Sequence, residues 1–163
     1  MHNQGERTQP GATRMSDSHV TDRLEVAAHT RNLAVVREFL HNAIKRSLLP
    51  TKDVNKVVLA VDEAVANTMQ HGYEGREPGS VEVLIEADSQ RFTVRIRDNG
   101  ISYDPAAGSK KNESIDLPAH IASGNKRGLG LFIMRKVMDE VRYTSREGDI
   151  NELTLVKYIV VQG

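Results

Sequence analysis

The sequence predicts an α+β fold in which helices and a run of antiparallel strands form a two-layer sandwich. Two early segments repeat apolar residues at spacings of three and four, the period of an amphipathic helix. Several later segments alternate apolar and polar residues, the period of a strand. Because the helical segments are separated in order from the paired strands, β-α-α-β-β-lid-α-β-β, the two kinds of element are expected to form separate layers.

The chain opens with a polar stretch, followed by a short strand pattern. Residues 1–20 carry almost nothing apolar, so we expect a flexible tail followed by a single domain over residues 21–163. Leu24, Val26 and Ala28 alternate with charged or small neighbours and predict an edge strand.

Two amphipathic helices are predicted next. The first is expected to begin at a Thr30 cap and to stop near Pro50. The second is expected to begin at a Thr51 cap, with Gly72 and Gly75 marking its end. The apolar positions of the two helices are Leu33, Val36, Leu40, Ala43, Ile44 and Leu48, followed by Val54, Val57, Val58, Val61 and Val65.

The second half of the chain alternates strands with one further helix. A short polar link at 88–90 joins two strands, and two closing strands are predicted at 141–146 and 153–161. The polar stretch at 104–127 is expected to be a functional lid or a disordered segment. The two linked strands are defined by Val81, Val83 and Ile85 and by Phe92, Val94 and Ile96. The third helix is defined by Leu131, Met134, Val137 and Met138.

Composition excludes several classes of protein. The 22 basic and 22 acidic residues cancel, which argues against a generic nucleic-acid or anionic-membrane binder. Without cysteine there is no disulfide framework, thiolate zinc site or thiol nucleophile. No apolar run approaches the ~20 residues that a membrane span needs, so we expect a cytoplasmic protein.

The first motif lies on the second predicted helix, where residues 62–73 read DEAVANTMQHGY. Glu63, Asn67 and His71 occupy successive i, i+4 positions, roughly opposite the valine stripe. An Asn carbonyl suits Mg²⁺, and a Glu one turn away can take a proton from a hydroxyl or water that attacks a phosphate. Alternatively, Glu63 and Asn67 decorate a solvated face and His71 complements the helix dipole.

The second motif, RDNG at 97–100, ends an apolar strand. The Asp98 carboxylate can accept a hydrogen bond from an exocyclic amine such as that of adenine, and Gly100 lets the backbone approach a flat ring. An ordinary turn is the alternative, because Asp-Asn-Gly is a favoured turn tripeptide.

The third motif, KRGLGLF at 126–132, is predicted to open a helix. Gly128 and Gly130 would precede free N–H groups that can bind an anion, and Lys126 and Arg127 would add positive charge. A simple glycine cap is the alternative.

In this order, the segments E-A-V-x-N-x-x-x-H, D-N-G and R-G-L-G-L resemble the N, G1 and G2 boxes of the GHKL ATPase superfamily. The short chain, the Asn-x-x-x-His-Gly-Tyr extension and the FIMRKVMDEV helix most resemble the anti-sigma-factor serine/threonine kinases. The resemblance covers roughly residues 22–161. It implies a mixed, mostly antiparallel sheet covered on one face by helices, ATP or ADP with Mg²⁺ as cofactors, and an ATP lid at about 104–127.

The resemblance also implies roles for particular residues. Glu63 corresponds to the catalytic base and Asn67 to the Mg²⁺ ligand, while Asp98 reads adenine beside Gly100. Gly128 and Gly130 hinge the lid and meet the phosphates. The implied nucleotide-binding residues are Arg37, Asn67, His71, Asp98, Gly100, Lys126, Arg127, Gly128, Leu129, Gly130, Leu131 and Thr154.

Some of these positions depart from the family pattern. Lys126 stands where some members have a phosphate-contacting Arg, so the charge is kept but the bidentate fork is lost. Asn151 and Glu152 stand where relatives often carry a Gly-Thr pair near the adenine, which leaves Thr154 as the nearest hydroxyl. Arg37 matches an arginine that the family uses near the phosphates or the partner.

The function that the resemblance implies is an anti-sigma serine/threonine kinase. Such kinases sequester a sigma factor, phosphorylate its antagonist protein and form homodimers, without contacting nucleic acid directly. Two alternatives share the same motifs: a nucleotide-gated partner-binding switch with no transfer activity, and a detached histidine-kinase-like catalytic domain.

Overall fold

A computed structural model describes residues 19–71, 79–100, 126–145 and 150–160. Its elements follow the predicted order, whereas the expected tail at 1–18 and the expected lid at 101–125 lie outside the described residues. The elements are β1 (Val20–Ala27), a 3₁₀ turn (Thr30–Asn32), α1 (Leu33–Arg46), α2 (Thr51–His71), β2 (Ser80–Ala87), β3 (Arg91–Asp98), α3 (Lys126–Val137), β4 (Glu140–Thr144) and β5 (Asn151–Tyr158).

The strands form one five-stranded sheet in the order β1-β2-β3-β5-β4. All four pairings between the described strands are antiparallel, and the predicted edge strand β1 does lie at an edge. Because β5 lies between β3 and β4, the ends of two strands that are distant in sequence are neighbours. Asp98 at the end of β3 is paired with Asn151 at the start of β5.

The helices cover one face of this sheet, which confirms the two-layer α+β class. The valine stripe of α2 is fully buried, with Val57, Val61 and Val65 at most 1% exposed. The inward residues of the central strands join the same core, where burial of large apolar side chains is the main stabilising contribution. None of the described helices is long and apolar enough to cross a membrane.

The other face of the sheet carries alternating charges, and none of the described helices covers it. Glu82 of β2 pairs with Arg23 of β1 and with Arg97 of β3, and the Arg97 Nε lies 2.5 Å from the Glu152 Oε2 of β5. Partly exposed ion pairs of this kind contribute little to folding stability. Their presence nevertheless shows which strand positions point away from the helices.

The predicted Thr30 cap of α1 is wrong. Thr30 begins a 3₁₀ turn that is capped by His29, whose Nδ1 accepts from the Arg31 N–H at 3.1 Å. Asn32, the cap residue of α1, makes no capping bond with its side chain. Its Nδ2 donates instead to the Ala27 carbonyl at 2.8 Å, so the end of β1 and the start of α1 are tied together.

Candidate functional site

Helices α2 and α3 approach each other closely at Gly130. A Cβ added to this buried glycine would lie 2.9 Å from Glu63 Oε2 and 3.0 Å from Asn67 Nδ2. The backbone of α3 therefore lies directly against the Glu63 carboxylate and the Asn67 amide. A residue with a side chain would force the end of the Glu63 side chain to shift and the Asn67 amide to give by a few tenths of an ångström.

Glu63 and Asn67 form the polar side of α2 that the i, i+4 spacing predicts. Both are half-buried, since α3 packs over them. Within the described part of the chain, neither side chain makes a hydrogen bond or an ion pair. Because neither group is fully buried and neither is engaged by the described residues, both remain available to hydrogen-bond or coordinate a ligand.

Helix α3 begins earlier than the sequence predicts. The glycines were expected to precede it, but Gly128 and Gly130 lie inside Lys126–Val137, and residues 126 and 127 belong to the helix and not to the lid. Close packing on α2 explains why a glycine occurs at position 130 within the helix. The unpaired N–H groups of a helix start therefore belong to residues 126–129.

Asp98 ends β3 on the face that carries the helices. Its Oδ1 accepts from the Gly100 N–H at 2.9 Å and from Asn151 Nδ2 at 3.1 Å, whereas no donor from the described residues reaches Oδ2. Burial raises the pKa of Asp98, and the two hydrogen bonds act in the opposite direction. Asp-Asn-Gly thus forms a turn closed by the Asp98 side chain, and the second carboxylate oxygen has no donor among the described residues.

Asn151 is a member of this cluster that the sequence did not single out as a site residue. It is 2% exposed, its Nδ2 also donates to the Gly100 carbonyl at 3.1 Å, and its Oδ1 accepts from Ser145 Oγ at 2.7 Å. Strand alternation contains a signal for it, because Asn151 shares a side of β5 with buried Leu153 and Leu155. A polar amide in that apolar row needs hydrogen-bond partners.

Thr154 is not brought together with the other site residues. It lies between Leu153 and Leu155, so alternation turns it to the charged face of the sheet, where its hydroxyl donates to Glu152 Oε1 at 3.4 Å. Asp98 lies on the opposite, helix-covered face of the sheet, and Glu63 and Asn67 lie on α2 against α3.

Arg37 of α1 is held by the residue next to Glu63. Its Nε lies 2.7 Å from Asp62 Oδ1 and 2.9 Å from Oδ2, and this pairing raises the pKa of Arg37. The guanidinium remains half-exposed. An arginine is thereby positioned on the outer surface of the α1–α2 pair.

The remaining predicted residues fall into two groups. Leu131 of α3 is 6% exposed and forms part of the hydrophobic core. The side chains of four others lie outside the described residues: His71, Lys126, Arg127 and Leu129.

Comparison with known proteins agrees with this architecture. A family model described as a histidine kinase-like ATPase domain matches residues 26–157. The chain is 26% identical over 145 residues to a protein named serine-protein kinase RsbW from Listeria monocytogenes serovar 1/2a, covering 89% of this chain and 91% of that protein. The same name and figures apply to a relative from Listeria innocua serovar 6a.

A protein of the same name from Bacillus thuringiensis strain Al Hakam is 24% identical over 136 residues, which are 83% of each chain. These similarities span most of the described fold, including α2, the end of β3 and the start of α3. They support a nucleotide-binding domain of the kinase-like type. With most of its length matched by one family model, the chain belongs to the histidine kinase-like ATPase family, the GHKL group that its three motifs resemble.

Proposed function

We propose that the protein is an ATP-dependent serine/threonine kinase that acts as an anti-sigma factor. It phosphorylates an antagonist protein and sequesters a sigma factor. The observation that carries the proposal is the packing of Gly130 against Glu63 and Asn67, a carboxylate and an amide that have no hydrogen-bond or ion-pair partner among the described residues and lie near the start of α3. Family membership and the name of the relatives, serine-protein kinase, support it.

The nucleotide is oriented by groups at the two ends of the site. The Asp98 Oδ2 accepts from the 6-amino group of adenine, since its Oδ1 is already occupied. The phosphates bind at the start of α3, where backbone N–H groups and the helix dipole favour anions.

The donor set fits Mg²⁺. The Asn67 carbonyl is a hard oxygen ligand, and Mg²⁺ usually takes only one or two protein ligands alongside water and phosphate oxygens. A bound Mg²⁺ would neutralise part of the negative charge on the phosphates.

Glu63 acts as the base. The hydroxyl oxygen of a serine or threonine on the antagonist attacks the γ-phosphorus, and its proton passes to the Glu63 carboxylate. The bond between the γ-phosphorus and the β,γ-bridging oxygen breaks, and ADP leaves. Gly130 fixes the position of the carboxylate by packing against it.

Replacing Gly130 by Ala tests this packing. We expect phosphoryl transfer to fall, by up to about 10²-fold, because the new Cβ pushes the end of the Glu63 side chain from its place and a misplacement of about 1 Å at reacting groups can cost that much. Stability should change little, since the atoms that would meet the new Cβ are the ends of side chains. Single-turnover transfer and thermal melting separate the two effects. Transfer at the wild-type rate would show that Gly130 does not position Glu63.

Arg37 contacts the partner protein in this proposal. Arg37→Ala should weaken the complex with the sigma factor or antagonist by about tenfold or more and leave ATP affinity unchanged, because interface arginines are frequent hot spots. Isothermal titration with each partner and with Mg-ATP measures both quantities. Arg31→Ala, which removes a nearby exposed arginine from the 3₁₀ turn, is the matched control. Loss of ATP affinity in Arg37→Ala would instead place Arg37 at the phosphates.

Homodimer formation is part of the proposal, with α1 and the edge strand β1 as the surfaces that can supply contacts. The outer edge of β1, which pairs with no other described strand, offers backbone N–H and C=O groups to a second chain. Sedimentation of the purified protein tests this directly.

Incubation of the protein with γ-labelled ATP and candidate antagonist proteins tests the function as a whole. Acid-stable label on the antagonist supports serine or threonine transfer. Acid-labile label would indicate a histidine-kinase-like domain, and nucleotide binding without transfer would indicate a partner-binding switch.

A further inference from the structure

Asn151 is the least exposed polar residue in the described part of the chain, at 2%. Its place is fixed by register, because β3 and β5 pair Asp98 with Asn151 directly. A buried amide retained opposite a carboxylate is costly unless its hydrogen bonds are satisfied.

Both hydrogens of the Asn151 side-chain amide are used in hydrogen bonds within the protein. Nδ2 donates to Asp98 Oδ1 and to the Gly100 carbonyl, each at 3.1 Å, and Oδ1 accepts from Ser145 Oγ at 2.7 Å. An amide nitrogen has two hydrogens, so no donor remains for a ligand. The orientation of the amide is also fixed, since reversing it would place Oδ1 against two acceptors.

The effect of Asn151 is therefore exerted on Asp98. Two donors, the Asn151 amide and the Gly100 N–H, converge on Oδ1 and leave Oδ2 for the ligand. A carboxylate oxygen accepts from the 6-amino group of adenine. The same oxygen opposes the 6-oxo group of hypoxanthine or guanine, because two acceptors then face each other without a proton.

We propose that Asn151 is a positioning residue that sets the base specificity of the nucleotide site, by holding Asp98 as an acceptor-only carboxylate that selects 6-amino purines against 6-oxo purines. The inference rests on the proposed function, since it requires a purine nucleotide at Asp98.

The pKa of Asp98 depends on the Asn151 hydrogen bond, so the role of Asn151 can be measured through the pH dependence of nucleotide binding. Burial raises its pKa, while the Asn151 and Gly100 hydrogen bonds lower it, and none of these influences is a charged group. The flanking strands present uncharged Val81 and Asn151 to it. Without the Asn151 amide the pKa of Asp98 rises further. A protonated Asp98 can then donate to a 6-oxo group, so discrimination between the bases would depend on pH.

Isothermal titration of the full chain with Mg-ATP and Mg-ITP provides the test. Inosine carries a 6-oxo group and lacks the 2-amino group of guanine, so ATP and ITP differ only at the N1–C6 edge. We expect wild type to prefer ATP and Asn151→Leu to lower the ATP:ITP affinity ratio by about tenfold or more. In that variant the ratio should fall further as pH falls and recover as pH rises. Thr93→Val, a buried change on the charged face of β3, should keep the wild-type ratio.

Asn151→Asp gives a second readout with the opposite pH trend. At low pH the introduced carboxyl is protonated and can donate to Asp98, so the preference for ATP is kept. At high pH two ionised carboxylates face each other, and their repulsion moves Asp98 out of its place at the base, so that both ATP affinity and the preference for ATP fall. If Asn151→Leu does not melt cooperatively, this trend decides the question.

An ATP:ITP ratio that stays at the wild-type value in a folded Asn151→Leu, or that is flat with pH in Asn151→Asp, would overturn the inference. If wild-type protein binds ATP and phosphorylates its acceptor, and the Asn151 variants keep the wild-type ATP:ITP ratio, this inference alone is overturned. Wild-type protein that binds neither nucleotide would overturn the proposed function as well.

Discussion

Glu63→Gln is expected to leave Mg-ATP binding intact and to lower phosphoryl transfer by about 10²–10⁴-fold. The amide keeps the size of the carboxylate, so it still fits against Gly130, but it cannot take the proton of the attacking hydroxyl. Calorimetry measures the binding, and single-turnover transfer from labelled ATP to the antagonist measures the chemical step.

Glu86→Gln is the matched control for this variant, because Glu86 is an exposed carboxylate on β2, away from the proposed site and from α1. It should transfer at the wild-type rate. A wild-type rate in Glu63→Gln would show that the carboxylate only orients the acceptor or that the proton leaves to water. Loss of ATP binding would instead place Glu63 in the nucleotide pocket.

Asp98→Asn is expected to lower ATP affinity by about 10³-fold and to shift preference toward ITP, because a site that meets the wrong hydrogen-bonding group rejects it strongly. Asn151 and Gly100 both donate to the oxygen at the Oδ1 position, so the new amide must turn its NH₂ toward the base. The NH₂ group of the new amide then faces the base, where it repels the 6-amino group of adenine but can donate to a 6-oxo group. Calorimetry with both nucleotides is the measurement.

The same variant should be more stable than wild type in the absence of nucleotide. Burial raises the pKa of Asp98, so ionisation costs the folded state stability. This cost is absent below the ordinary pKa of an aspartate, grows as pH rises toward the raised value and is constant above it. The melting temperature of Asp98→Asn should therefore exceed that of wild type at neutral pH, with the difference vanishing as pH falls.

Asp88→Asn is the control with the opposite sign. Asp88 also accepts backbone N–H groups at a turn, those of Gln90 and Arg91, and these bonds lower its pKa. Its replacement should reduce stability near neutral pH, with the loss disappearing at low pH, and should leave nucleotide affinity unchanged. An Asp98→Asn protein that binds ATP as wild type does would remove Asp98 from base recognition.

Local periodicity was enough to predict most of the fold. The spacing of Val57, Val61 and Val65 identified the buried side of α2, and the same helix geometry placed Glu63 and Asn67 opposite it. The patterns of β2 and β3 and the short link between them were also confirmed. These features depend on residues that are neighbours in the chain, which is why the sequence alone reveals them.

Features that depend on contacts between distant segments were not predictable. The role of Asn151 follows from its register opposite Asp98, across 53 positions of the chain. The inclusion of Gly130 within α3 follows from how closely that helix packs on α2. The misplaced cap of α1 has the same origin, because Asn32 bonds to the end of β1 and not to its own helix.

The position of β5 inside the sheet has a consequence for biosynthesis. Although β5 follows every other described strand in the chain, it pairs with both β3 and β4, so neither can complete its hydrogen bonding until residues 151–158 have been translated. Non-local pairing of this kind folds slowly. A nascent chain lacking β5 would expose two unpaired strand edges, and we expect such truncated chains to aggregate or to require chaperones.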